Sequence, residues 1–501
     1  MVLHIDMRPA FCADTLHWIG ILMLTLADII ESLSDIRPER AEQAIADAVV
    51  DSRQVTRGAL FIALPGERAD GHSFVEDAFE RGAGYAIVQQ DFTSRFPVLD
   101  LRNPLDAQTL ASTLAGLNEK KPLCLWVPDS LVALQQAARF WRRKLDLRVI
   151  GITGSVGKST TKELAAEVLA RRYRTLKSPG NMNNEIGLPL TLLRLSERHE
   201  RAVLEMGFYV PGEVAFLCDL ALPHVGVITN IGTVHAERAG SQQAIARGKS
   251  ELVQALPPAP EGVAVLNFDD TWVREMASQT QAHVFYYGLS AEADLWADDV
   301  TGLGLEGIRF RLHYHNETLH LRVPLIGRHS VHTVLRSAAV GLVEGLTWQE
   351  IVDGLRSPQT QLRLVAVPTA KGALMLDDTY NASPESTLAA LNLLDELEGR
   401  RVAVLGDMLE LGQYERRGHE MVGVRAAEVV DELVTVGHLA RMIATAAWRA
   451  GLPLTAITQL DNSEQAVAYL RERLGAQDVV LVKGSRGMAM DRIVASLEAP
   501  R

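Results

Sequence analysis

At 501 residues the chain is too long for one hydrophobic core, and about 150 residues per domain gives three. Hydrophobic residues at 47% and charged residues at 22% match an ordinary globular protein, and the net charge of -12 excludes a general nucleic-acid binder, which needs a basic face. Cys12, Cys124 and Cys218 stand far apart without CxxC spacing, which excludes a disulfide framework or metal knuckle and fits a reducing, cytoplasmic compartment.

The apolar run at 16–26 is shorter than the ~20 residues that cross a bilayer. It also lacks a basic leader and a small-residue cleavage site, so neither membrane insertion nor a signal peptide is expected. Helix-like sequence resumes at Met23, and residues 1–22 read as an upstream extension or disordered tail. Val49-Val50 reads as a short strand running into polar Asp51-Ser52-Arg53. A second strand at 59–64 is closed by Pro65-Gly66, and a helix follows through Val75, Ala78 and Phe79. Residues 23–121 thus form a small α/β unit, with 92–121 as its variable edge.

The central unit is expected over 122–357, where helix-like 131–145 leads into Gly151-Ile152-Thr153-Gly154-Ser155-Val156-Gly157-Lys158-Ser159-Thr160-Thr161-Lys162-Glu163. An apolar strand, a Gly-rich turn and a helix start follow one another here. Such a turn aims backbone N–H groups and a positive helix end at a phosphate, while Lys158 adds charge and Ser159 can ligate Mg²⁺. Position 152 is Ile where the common pattern has Gly, leaving the shorter T-G-x-x-G-K-S-T. The segment Thr153, Gly154, Ser155, Val156, Gly157, Lys158, Ser159, Thr160 reads as a nucleoside triphosphate site; the alternative is a plain strand-to-helix turn. Strands expected at 201–206, 225–230 and 262–267 alternate with helices, the pattern of a doubly wound parallel sheet. Strands at 373–378, 401–407, 433–437 and 479–484 give 358–501 a Rossmann-like pattern. No G-x-G-x-x-G stands at its first turn, so no dinucleotide is expected there.

Open parallel sheets bind ligands where their strands end, which singles out Glu205 and Asn230, the latter ahead of His235. A carboxylate and an imidazole suit a magnesium nucleotide, although each alone is also compatible with a structural role. The amide-rich segment from Gly180 through Asn183 and Asn184 to Gly187 reads as a turn between two helices, open to helix capping or to substrate binding. Lys249 is by default a solvated helix lysine, and Ser52 and Arg53 are by default turn residues. The adjacent acids Asp377 and Asp378, followed by Tyr380-Asn381, repel one another unless partners or a ligand offset the charge.

Together these segments resemble the Mur ligase family of ATP-dependent amide-forming enzymes, over nearly all of the chain from Met23 onward. The most selective pieces are 153–163, 180–189, 377–384, Leu405-Gly406-Asp407-Met408-Leu409-Glu410-Leu411-Gly412 and Lys483-Gly484-Ser485-Arg486. The resemblance implies an α/β protein of three domains: a smaller N-terminal UDP-binding domain, a central P-loop-type ATPase domain and a C-terminal Rossmann-like domain. It implies Lys158 and the loop amides on the phosphates of ATP, Ser159 and Glu205 on Mg²⁺, and His235 near a second metal ion. Lys249 matches a lysine that the family carbamylates into an anionic metal ligand. Arg363 and Asp378 match residues that close on the nucleotide. Ser52 and Arg53 fall in the part that holds UDP, and Asn183, Asn184, Tyr380 and Asn381 are further expected substrate contacts. The implied substrates are UDP-N-acetylmuramoyl-tripeptide and D-alanyl-D-alanine, joined by a cytoplasmic monomer through an acyl phosphate.

Two departures stand out. The family's G-x-H-N-x-x-N is Gly327-Arg328-His329-Ser330-Val331-His332-Thr333 here, so hydroxyls replace two asparagines whose contacts lie near the adenine. Leu362 precedes Arg363 where the family has glycine. Rival readings are the ligase that adds the third amino acid, whose Asp-Asn-Pro-Arg signature is absent, a folate polyglutamate ligase, and a nucleotide-binding protein that has lost ligation.

Overall fold

Thr25 opens the first helix with a reciprocal cap, its hydroxyl accepting from the Asp28 amide while the Asp28 carboxylate accepts from the Thr25 amide. The helix, Leu26–Ser34, buries Leu26, Ala27, Ile29 and Ile30. In the computed structural model, residues 23–39, 41–66, 69–116, 122–357 and 365–499 are described. The expected nucleotide-closing residue Arg363, like its neighbour Leu362, lies outside them, as do residues 1–22.

Strands Ala48–Val49, Leu60–Ile62, Tyr85–Val88, Leu123–Trp126 and Val98–Asp100 lie side by side in that order, all parallel. The sequence places the start of the central unit at Pro122, yet Leu123–Trp126 sits inside this N-terminal sheet. Leu123, Cys124 and Leu125 are all buried, and only an inner position covers both faces of so apolar a strand. The crossing to the central sheet therefore comes after Trp126, through helix Ser130–Lys144, which is capped by Asp129. The indole of Trp141 on that helix donates to the Leu195 carbonyl at 2.9 Å. One continuous buried cluster runs from Leu24 through Leu60, Leu125 and Trp141 to Leu190 and Leu252, joining the N-terminal and central units.

The central sheet has nine strands, in the order Glu317–Val323, Ile308–Tyr314, Leu295–Gly302, His283–Gly288, Val263–Asn267, Val225–Ile228, Arg148–Thr153, Arg201–Glu205, Thr175–Lys177. From Leu295–Gly302 onward the pairs are parallel, as expected for the strands at 201–206, 225–230 and 262–267. Leu295–Gly302, Ile308–Tyr314 and Glu317–Val323 form an antiparallel extension that the doubly wound pattern does not include. Arg148–Thr153 lies between Val225–Ile228 and Arg201–Glu205, so successive connections leave it in opposite directions and open a crevice at its carboxyl end.

The C-terminal sheet runs Val365–Pro368, Leu374–Asp378, Asp478–Lys483, Arg400–Gly406, Glu432–Val436, Ile457–Leu460, parallel except at the first pair. No described helix is long and apolar enough to cross a membrane.

Candidate active site

The turn after Arg148–Thr153 sits over the crevice, and two glycines make its path possible. Gly154 has φ +144, and a Cβ there would stand 1.8 Å from Thr229 Oγ1. Gly157 has φ +85, and its Cβ would stand 2.4 Å from the Arg336 guanidinium. Asn230 pins the turn from the next strand: its carbonyl accepts from the Ser155 amide at 2.9 Å, and its Oδ1 accepts from the Val156 amide at 2.9 Å. Gly157 then caps helix Lys158–Leu169, whose first-turn amides and positive end face the same turn.

Two lysines converge on one carbonyl. Lys158 Nζ donates to Gly154 O at 2.8 Å, and Lys249 Nζ donates to the same oxygen at 3.0 Å. Lys249 is thus not a solvated lysine; helix Gln242–Gln254 buries it, with its ammonium 4.7 Å from the Phe208 ring centre. Gly248 allows that approach, since a Cβ there would lie 2.0 Å from the Phe208 ring. Burial, and then the charge of Lys158, push the Lys249 amine well below its ordinary range.

Ser159 Oγ donates to Glu205 Oε2 at 2.5 Å, and Asn183 Nδ2 donates to Glu205 Oε1 at 2.9 Å. The amide-rich turn is not between two helices: it follows strand Thr175–Lys177 and leads into helix Gly187–Leu193. Asn184 Oδ1 accepts from the Gly187 amide at 2.9 Å at the start of the helix, while Asn183 reaches Glu205. His235, in left-handed backbone at φ +66, meets Glu410 of the C-terminal unit, Nδ1 to Oε2, at 2.6 Å. Burial, with the charge of Lys158, holds His235 at about 4, despite the opposing pull of Glu410. The same seam carries Thr233 N donating to Glu385 Oε1 at 3.2 Å, Gln413 Nε2 donating to Gly240 O at 3.1 Å and Gly412 closed against the Glu237 backbone.

The paired acids of the C-terminal sheet find partners. Lys483 Nζ donates to Asp378 Oδ2 at 2.7 Å and to Asn381 O at 2.9 Å, while Asp377 Oδ1 accepts from the amide and hydroxyl of Thr379. Asp378 also acts on the charge of His329, which belongs to the central unit. Tyr380 stays exposed beside them. The two hydroxyls that replace asparagines turn inward: Ser330 Oγ donates to Ile326 O at 2.7 Å, and Thr333 Oγ1 accepts from Arg336 at 2.7 Å. Ser52 and Arg53 sit in the turn after strand Ala48–Val49, Ser52 buried and Arg53 paired with Asp51 at 2.7 Å. Among the described residues, no hydrogen bond or ion pair links them to the phosphate-loop segment.

Residues 48–109 match the Mur ligase family catalytic domain, 152–341 the Mur ligase middle domain and 362–486 the Mur ligase glutamate ligase domain. The chain is 36% identical over 469 residues to the UDP-N-acetylmuramoyl-tripeptide–D-alanyl-D-alanine ligase of Bacillus subtilis, covering 92% of this chain and 95% of that one. The chain belongs to the Mur ligase family. Its Escherichia coli K12 relative of the same name is 33% identical over 459 residues, covering 90% of this chain and 94% of that one. Among solved structures, MurF from Acinetobacter baumannii superposes with TM-score 0.78 at 30% identity, over 95% of this chain and 99% of that one. MurF ligase from Thermotoga maritima, in complex with ADP, gives TM-score 0.73 at 28% identity, over 90% and 96%. Within this Mur ligase chain, Asn230, already singled out at a strand end, pins the turn, whereas Glu410 was marked only by the selective segment 405–412 and Arg336 was not singled out.

Proposed function

We propose that this protein is the ATP-dependent ligase that joins D-alanyl-D-alanine to UDP-N-acetylmuramoyl-tripeptide in peptidoglycan precursor synthesis, acting as a cytoplasmic monomer. The observation that carries the reading is the convergence of Lys158, Lys249, Ser159 and Glu205 on the turn at the sheet's crevice, with Glu410 reaching in from the third sheet. UDP binding falls to the unit ending at Trp126, ATP binding to the central unit ending at Ser357, and closure to the C-terminal unit.

The reaction begins with attack of the tripeptide carboxylate on the γ-phosphorus of ATP. The new O–P bond forms as the bridge to the β-phosphate breaks, giving ADP and an acyl phosphate. The D-alanyl-D-alanine amine then adds to the acyl carbon, and the tetrahedral intermediate expels phosphate and loses a proton to give the amide. Lys158 and the amides of 154–160 hold the triphosphate and offset the charge on the transferring group. Ser52 and Arg53 serve the UDP moiety, and Asn183, Asn184, Tyr380 and Asn381 serve the substrates. Asp378 and Arg363 close on the nucleotide from the third unit, excluding the water that would hydrolyse the acyl phosphate.

Ser159 and Glu205 are hard oxygen donors side by side at 2.5 Å, a pair that fits Mg²⁺. Mg²⁺ held there supplies charge neutralisation at the phosphoryl oxygens. His235, kept neutral by burial and by the charge of Lys158, is the imidazole form that would serve a second metal ion. Carbamylation of Lys249 reverses the local sign, because its neutral amine and carbon dioxide give a carbamate anion and a proton. Phosphate release measured with purified protein and MgATP tests the reading: release requires both UDP-tripeptide and D-alanyl-D-alanine. Release with either alone, or none with both, refutes it.

A further inference from the structure

Arg336 lies in helix Ser330–Val343, 4% exposed, and no step above uses it. Its Nε donates to Thr161 Oγ1 and a terminal nitrogen donates to Thr333 Oγ1 at 2.7 Å, with the Tyr287 hydroxyl beside it. These are neutral groups. Among the described residues no carboxylate stands within 4.0 Å of the guanidinium. The acids of the neighbouring segment are committed elsewhere: Asp269 holds His332 at 2.8 Å, and Asp270 accepts from the amides of Ile231 and Val273. A guanidinium does not shed its proton to escape burial, and hydroxyls recover only part of the lost hydration.

The buried cation is pressed against the phosphate-loop turn. A Cβ on Gly157 would overlap it, and Thr161, which accepts from Arg336, passes a hydrogen bond to Gly157 O at 2.6 Å. Lys158 brings a second cation to the front of the same turn. The local charge is therefore set for a polyanion. The contact also runs through Thr333, one of the hydroxyls standing where the family pattern has asparagine.

We propose that Arg336 is a positioning residue for nucleotide binding, which holds Gly157 and Thr161 in place and leaves its charge uncompensated until the nucleotide phosphates arrive. The inference rests on the reading of 153–160 as the ATP site. Removing an acid-free buried cation relieves the free protein while weakening the phosphate complex.

The test is nucleotide binding and melting of Arg336→Gln and Arg336→Lys, with Mg-ADP and with adenosine as probes. Arg336→Gln is expected to melt no lower than the unaltered protein without nucleotide, to bind Mg-ADP at least tenfold more weakly and to bind adenosine unchanged. Arg336→Lys, which keeps the charge without the fork, is expected to fall between the two and guards against a misfolded Gln variant. In the ligation assay the KM for ATP rises while the KM for UDP-tripeptide holds. A lower melting point for Arg336→Gln together with Mg-ADP affinity within threefold of normal makes Arg336 a packing residue and overturns the inference. Equal losses for adenosine and Mg-ADP overturn it in favour of a base contact. Absence of Mg-ADP binding in the unaltered protein removes the ATP-site reading itself, and the inference with it.

Discussion

Lys249 shows how a single burial decision sets chemistry. Its amine shares Gly154 O with Lys158, so two cations meet at one acceptor, and the fully buried one is driven toward its neutral form. A neutral amine is the form that captures carbon dioxide, so burial that disfavours the cation would favour the proposed carbamylation. In ¹³C-bicarbonate the protein is expected to show a carbamate resonance that Lys249→Ala lacks, with Lys249→Ala losing at least a hundredfold in turnover. Full activity of Lys249→Ala excludes the role. The residue pattern alone suggested a solvated lysine because a lysine on a helix usually points outward, and the burial comes from a neighbour, Phe208, 41 positions away in sequence. The phosphate-loop turn, by contrast, was legible because its glycines, lysine and serine are contiguous.

At the scale of elements, the seam between the central and C-terminal units joins loops to helix ends, Thr233 to Glu385 and His235 to Glu410. His235 and Glu410 both hold left-handed backbone, at φ +66 and +63, and each loop offers its side chain to the other. Glu410→Gln keeps a neutral acceptor, whereas Glu410→Ala leaves His235 without this partner. Glu410→Ala is expected to lower kcat about tenfold or more, with Glu410→Gln between it and the unaltered enzyme and KM for ATP within a factor of about three. Equal kcat for all three proteins would show that the contact does not serve the reaction. The pair spans 175 positions of sequence, so no local pattern could join the two residues even though 405–412 stood out. The antiparallel extension escaped for another reason: Ile308-Arg309-Phe310-Arg311-Leu312 alternates apolar and charged residues, the pattern of a half-exposed strand, while the expected strands were continuous apolar runs.

For the whole molecule, burial of histidines ties folding to pH. His224 accepts from the Val149 amide through Nδ1 at 3.2 Å and is held at about 4 by burial and by Arg148; His329 is held at about 4 by burial. Unfolded histidine titrates near ~6.5, so between pH 6.5 and 4 the unfolded chain binds protons that the folded one does not. Their contribution makes stability fall as pH drops through that window, and His329→Gln is expected to flatten the fall in melting temperature. An identical slope in the variant would remove His329 from the account. The three α/β units were legible because their inner strands are runs such as 479–482, whereas the boundary at Trp126 was not, because a buried strand carries no mark of the sheet it joins. The cluster that runs from Leu24 through Trp141 to Leu252 packs the first two units around one interior. In the proposed reaction, that shared interior sets the span between the UDP holder and the phosphate-loop turn. On that proposal the enzyme would work as a ruler: a peptide too short to cross the gap would leave its carboxylate out of reach of the γ-phosphate, and length would be checked before any bond is made.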